Sequence, residues 1–309
     1  MTDRRLGVLA VSAAVFVSAP ALVGCGGSQS ESTGRTNAAT GTAAATSTAT
    51  AAPASARGWT RGYPDSITVL GHSGSTGESS DPDQPGVEVR ENSWATGTNP
   101  EVDSLYLRIL KHNPAIKGHN MPYSEGGAGI DQVAGQAARL LELDPKPDLI
   151  VIQVMDNDLT CPLERAALSD FRTQLAATLQ LLARGAPNSS QFVVSQFGSV
   201  PTYASSLSRD ERASQGGTGP CDFMTPTGTV APKKVARLEN AIHAYEAALE
   251  AACKTVRQCT YDDGAFGHIV DRREYVASDL NHFSIQGHAK AAAVAWAAIR
   301  RAHVLPRTR

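Results

Sequence analysis

Ile67-Thr68-Val69-Leu70-Gly71-His72-Ser73-Gly74-Ser75-Thr76-Gly77 is the stretch on which the reading of this chain turns. A short apolar, β-branched run ends abruptly in glycines, serines and a threonine, the pattern of a buried strand breaking into a loop. In open α/β sheets, ligands gather beyond the carboxyl ends of the strands. Ser73 therefore stands where a nucleophile is useful, and Gly71 and Gly74 let the backbone turn sharply without covering its hydroxyl. Alone, the stretch reads as an ordinary Ser/Gly turn. It also departs from the nucleophile elbow G-x-S-x-G, because position 75 is Ser. Its meaning depends on partners elsewhere in the chain.

Upstream, the chain opens with an address. Arg4 and Arg5 precede an apolar run from Leu6 to about Val23, closed by Leu22-Val23-Gly24-Cys25. A charged region, an apolar region and a small-residue cleavage site make residues 1–25 a signal peptide. The closing four residues resemble the bacterial lipobox, in which the cysteine is lipidated, so Cys25 is the expected lipidation site. A plain secretory signal with an incidental cysteine is the alternative, and as a membrane span the run is at the short limit. In each case the domain is exported, and lipidation would hold it at the membrane or cell envelope. Residues 26–57 are Ser, Thr, Ala and Gly with almost no large apolar side chain, which reads as a flexible tether. From residue 58 to 309 the composition is that of one globular α/β domain. Lys and Arg number 28 against 30 Asp and Glu, giving a formal net charge of −2 with the signs interspersed. Without a basic stripe, nucleic acid is not an expected partner.

Setting Cys25 aside, four of the five cysteines remain: Cys161, Cys221, Cys253 and Cys259. An even number in an exported domain suggests two disulfides, for which three connectivities exist. Cys253–Cys259 and Cys161–Cys221 are the favoured pairs. A zinc site is the alternative, but no C-x-x-C spacing supports it.

Downstream of Ser73 the chain alternates strands and helices. Helices are expected over about 101–111, 130–143 and 163–183. Strands are expected at 115–119, 148–154 and 191–196. The run Leu149-Ile150-Val151-Ile152-Gln153-Val154 is nearly continuous apolar, as in a parallel strand covered on both faces. Two later helices carry apolar stripes, one through Val235, Leu238, Ile242, Tyr245 and Leu249, the other through Ile285, Ala289, Ala292, Trp296 and Ile299. Alternation of this kind predicts a parallel sheet sandwiched between helices. Residues 199–230 read as a long loop over the carboxyl end of the sheet, a roof for the site.

The other strand ends carry polar groups. Gly126-Gly127-Ala128-Gly129 brings bare N–H groups to a helix start. Met155-Asp156-Asn157-Asp158 offers a side-chain amide, and Asp279-Leu280-Asn281-His282 places a carboxylate three residues before an imidazole. Each is, by itself, as common in turns and caps as in sites. Together, in this order, they resemble the four blocks of the SGNH hydrolase family, the GDSL esterases and lipases, over nearly the whole globular domain. The resemblance implies a three-layer, flavodoxin-like α/β/α sandwich with a five-stranded parallel sheet. It implies Ser73 as nucleophile, His282 as base and Asp279 as its orienting carboxylate, with Ser73, Gly127 (Gly126 a close alternative) and Asn157 forming an oxyanion hole. His72 replaces the family's usual Asp and Met155 its usual Gly. The expected activity is hydrolysis of acyl esters, of lipids or of O-acetylated carbohydrates, by a monomer that needs no metal or other cofactor. A catalytically inert ligand-binding lipoprotein on the same scaffold is the alternative.

Overall fold

The first and third strands fix the centre of the molecule, whose computed structural model describes residues 59–306. Strand β1 (Ile67–Gly71) and strand β3 (Leu149–Gln153) are buried along their entire length. They pair in parallel from Ile67 against Leu149 to Gly71 against Gln153. Strand β2 (Asn120–Pro122) flanks β1 on the other side, and β4 (Ser190–Val193) and β5 (Cys259–Tyr261) continue beyond β3. All pairs are parallel, in the order β2-β1-β3-β4-β5. The order reverses between β1 and β3, which opens a crevice at their carboxyl ends. Ser73 and Asn157 each lie just past one of those two strands.

Successive strand residues face opposite sides, so two cores form. Ile67, Val69, Leu149, Val151 and Phe192 pack against helices α1 (Leu105–His112) and α7 (Ile285–Arg301). Leu70, Ile150, Ile152 and Val193 pack against α2 (Ile130–Leu140), α3 (Arg165–Gly185) and α6 (Pro232–Lys254). The fold is thus a three-layer α/β/α sandwich of flavodoxin-like order.

The differences from expectation have local causes. The second strand lies at 120–122, not 115–119. Asn113 caps Pro114–Ile116 into a 3-10 turn by accepting the Ala115 N–H, and Ile116 turns into the core. Helix α1 starts at Leu105, because Asp103 has a positive φ of 48° and Ser104 accepts the Leu107 N–H. Residues 199–230 are not one long loop. They contain α4 (Val200–Ser206) and α5 (Arg209–Ser214), each started by a serine whose hydroxyl accepts a backbone N–H. The signal peptide, Cys25 and the 26–57 tether lie outside the described residues.

The excursion builds a third apolar cluster. Val200, Ala204, Leu207, Phe223 and Met224 pack with Leu238 of α6 and with Val276 and Leu280. Cys161 pairs with Cys221 at its margin, with Cα atoms 4.9 Å apart, and Cys253 pairs with Cys259 at 5.2 Å. The first bridge spans a separation of 60 residues. In the chain-entropy treatment a loop of that size is worth about 4 kcal/mol. Replacing Cys161 and Cys221 together by Ala should lower the free energy of unfolding by up to that amount, and the denaturant midpoint with it. The Cys253→Ala, Cys259→Ala pair, closing only a separation of 6, should cost less. Denaturant titration of the two double variants checks the order.

Candidate active site

Gly71 ends β1 with φ of 147°, and a Cβ there would run into the Gln153 carbonyl of β3. Only glycine lets the chain leave the sheet at this point. The strand's last polar groups are taken over by α2. Gln136, fully buried, accepts the Gly71 N–H at 2.7 Å and donates its amide to the Gly71 carbonyl at 2.9 Å. The Glu125 N–H also reaches that carbonyl, at 3.0 Å, and brings the 125–129 turn beside the loop that bears Ser73.

Residues 73–75 form a single 3-10 turn. His72, almost wholly buried, caps it: Nδ1 accepts the Gly74 N–H at 3.1 Å. An accepting Nδ1 puts the ring proton of neutral His72 on Nε2, which faces Asp156 Oδ2 at 3.2 Å. The imidazole therefore does the work of a capping carboxylate and does not hydrogen-bond the Ser73 hydroxyl. Ser73 is half-buried, and its hydroxyl makes no hydrogen bond among the described residues, to His282 or to any other group.

The 277–282 turn carries the second half of the site. Asp279 Oδ1 accepts the N–H groups of Asn281 and His282, each at 3.0 Å, while Oδ2 takes His282 Nδ1 at 2.6 Å. One carboxylate thus shapes the loop and fixes the ring, leaving Nε2 of neutral His282 unprotonated. Burial raises the Asp279 pKa, but bonds from His282, from the Ser79 hydroxyl and from the two backbone N–H groups prevail and hold it well below the carboxylate range. Burial also pushes His282 down. The bond and charge of Asp279, with the charges of Glu78 and Asp156, outweigh it and leave His282 above its usual value. Leu280 has φ of 60°, unusual for a leucine. It is held there by burial in the third cluster and by the Tyr203 hydroxyl of α4, which donates to its carbonyl. The approach of Glu78 Oε2 to His282 Nε2, 3.7 Å, brings this turn against the segment that follows Ser73.

Backbone donors around the crevice divide into used and unused. Gly74 N–H goes to His72, Gly126 N–H to Glu88 Oε1 at 2.7 Å, and Ala128 N–H to the Glu125 carbonyl at 3.3 Å. Glu88 is in turn held by Arg90 at 2.6 Å, and Arg90 donates to the Ser124 carbonyl. The N–H groups of Ser73 and Gly127 have no acceptor among the described residues. Asn157 gives one amide hydrogen to the Ala128 carbonyl at 3.0 Å and keeps the other. Asp158 accepts the Ile130 N–H at the start of α2, and burial lifts its pKa to about 6. Met155 takes φ of 136°, a glycine-like conformation, while its side chain is buried. The residue replacing the resemblance's usual glycine thus retains the glycine backbone.

Gln136, Glu78, Glu88 and Tyr203 belong to this arrangement and were not among the expected site residues. Gln136 left a trace in the sequence, a polar residue on the core stripe Val133, Ala137, Leu140. His288, the neighbouring histidine of α7, is fully buried against Phe283, and burial first, then the charge of His282, pushes its pKa down to about 3. An Ala substitution there opens a cavity beside the turn, so such a variant tests packing as well as chemistry.

No protein-family model and no curated protein sequence matches the chain. Solved structures do match. TesA is 14% identical, with a TM-score of 0.45, over 77% of this chain and 99% of its own. The lipase Lip_vut3 from a goat rumen metagenome is 15% identical at 0.48, over 75% and 96%. A catalytic mutant of Axe2, an acetylxylan esterase from Geobacillus stearothermophilus, is 13% identical at 0.42, over 79% and 97%.

Replacing Gln136 by Met keeps the volume and removes both bonds to Gly71. The carbonyl retains Glu125, but the N–H is left buried without an acceptor, which costs about 1–3 kcal/mol. Equilibrium unfolding of the variant should show a loss of that size.

Proposed function

We propose that the chain is a serine ester hydrolase, with Ser73 as nucleophile, His282 as general base and Asp279 as the group that orients it. The observation that carries this reading is the pattern of unused donors. Around a serine hydroxyl at the switch point of the sheet, the Ser73 N–H, the Gly127 N–H and one Asn157 amide hydrogen are free, while the neighbouring N–H groups are taken. Such a set suits the oxygen of a tetrahedral intermediate, and each donor is typically worth about 3–4 kcal/mol there. Gly126, whose N–H is taken by Glu88, is the weaker candidate for the glycine of the hole.

In the proposed reaction, Ser73 Oγ attacks the ester carbonyl carbon while its proton passes to His282 Nε2. The carbonyl oxygen becomes an oxyanion in the hole. Collapse breaks the bond to the alcohol oxygen, which takes the proton from Nε2 and leaves. Water then repeats the sequence on the acyl-Ser73 ester, releasing the acid and restoring the serine. Asp279 keeps the ring in the Nδ1–H tautomer and stabilises the imidazolium. Export through residues 1–25 and attachment through Cys25 are part of the same proposal. They would present the site to lipid or O-acylated carbohydrate esters at the cell envelope.

Ser73→Ala should reduce hydrolysis of short-chain p-nitrophenyl esters to background with an unchanged unfolding midpoint. Full turnover by that variant would end the assignment. The rate should also follow His282. Only its neutral form accepts the proton, and its pKa is raised, so kcat/KM should fall with decreasing pH around a midpoint above 6.5.

A further inference from the structure

Glu78 takes no proton and holds no oxyanion in the reaction just described, yet it stands beside the proposed base. Its carboxylate accepts no hydrogen bond from the described residues, and its Oε2 lies 3.7 Å from His282 Nε2. The same oxygen is 2.8 Å from the point where a Cβ on Gly126 would lie, and Glu88 Oε1 is 3.2 Å from that point. Glu78 thus lies between the proposed base and the glycine turn, with its side chain 24% exposed. An antiparallel bridge to Glu88 fixes its backbone.

The position bears on one half of the substrate. The leaving alcohol oxygen must come within hydrogen-bond reach of His282 Nε2 to receive its proton, about 3 Å. The alcohol therefore passes within about 7 Å of the Glu78 carboxylate, in a setting where water is partly excluded. Charge at that distance is felt. The other groups facing the spot do not cancel it. Asp156 and Asp279 are carboxylates that act on His282 with the same sign, and His288 beneath the turn stays neutral. Arg90, the cation tied into this network, is bound to Glu88 and to the Ser124 carbonyl.

We propose that Glu78 is a specificity-determining residue that selects esters by the charge of the alcohol, favouring cationic alcohols and rejecting anionic ones. The inference rests on the ester-hydrolase reading. It separates esters of choline-like alcohols from those whose alcohol carries a phosphate, sulfonate or carboxylate.

Three acetate esters of similar size test it: acetylcholine, its neutral isostere 3,3-dimethylbutyl acetate, and 2-sulfoethyl acetate. The acyl group is constant, so differences in kcat/KM report on the alcohol. The wild-type order should be cation, neutral, anion, with steps of about tenfold that shrink with added salt. Glu78→Gln, which keeps the shape, should compress both steps, and Glu78→Lys should reverse the order. With the neutral ester, Glu78→Gln should also move the acid midpoint of kcat/KM downward, because a negative charge beside His282 is gone. Glu250→Gln on α6, where the carboxylate pairs with Lys254, makes the same change in net charge and should leave the order intact. Unfolding midpoints confirm that each variant is folded. Ser73-dependent turnover with no charge order, or an order untouched by Glu78→Gln, overturns the selection alone. Turnover that survives Ser73→Ala, or no turnover of any ester, overturns the hydrolase reading and the selection with it.

Discussion

The bond pair between Gln136 and Gly71 is the constraint on which the site depends. A parallel strand that ends in the middle of a sheet must dispose of its last N–H and carbonyl, and here a single buried side chain accepts one and donates to the other. Because those groups are satisfied from the α2 side, the chain is free to leave the plane at Gly71, where no side chain would fit beside the Gln153 carbonyl. The 3-10 turn bearing Ser73 follows directly. The Glu125 N–H on the same carbonyl carries the glycine turn to that place as well. Strand end, Ser73 loop and glycine turn are therefore one hydrogen-bonded unit rather than three elements that happen to meet.

The Asp279–His282 turn is held by different means. Its own carboxylate shapes it from within, through the Asn281 and His282 N–H groups. From outside, the third apolar cluster buries Leu280 and the Tyr203 hydroxyl holds the Leu280 carbonyl, so a strained φ persists. The excursion over 199–230 thus supports the turn that carries His282, and the Cys161–Cys221 bridge fastens that excursion to the segment following Asn157. Electrostatics add a bias: three carboxylates, Asp279, Glu78 and Asp156, act on His282 in the same direction. In the proposed reaction that bias would hold an imidazolium at His282 at a lower cost, while shifting the range over which the ring is neutral upward in pH.

Much of this was legible in the sequence where one residue type has one use. The nearly continuous apolar run of β3 reads as a covered parallel strand and the short β-branched run of β1 as a buried one, and the stripes of α6 and α7 point to cores they do enter. β2 was misplaced because Asn120-Met121-Pro122 has no β-branched residue, whereas Ala115 and Ile116 before it look strand-like and are bent by Asn113 and Pro114 into a turn. β5 is three residues, Cys259-Thr260-Tyr261, too few for a period. The ordered glycine, asparagine and Asp-x-x-His blocks gave the expected site residues, and the structure gathers their loops at the carboxyl ends of β1 and β3. Glu78 and Tyr203 were not visible, since a glutamate in a polar loop and a tyrosine in a helix have many ordinary uses. Only the folded chain sets one beside Nε2 and the other beneath the turn.

A crystal structure of the protein after reaction with a small alkyl fluorophosphonate tests the central claim most directly, because the adduct imitates the tetrahedral intermediate in charge and shape. The account predicts a covalent bond from phosphorus to Ser73 Oγ. It predicts the phosphonyl oxygen within about 3.1 Å of the Ser73 N–H nitrogen, the Gly127 N–H nitrogen and Asn157 Nδ2, with His282 Nε2 turned toward Oγ. An adduct on another residue, or a phosphonyl oxygen held away from Gly127 and Asn157, would contradict it.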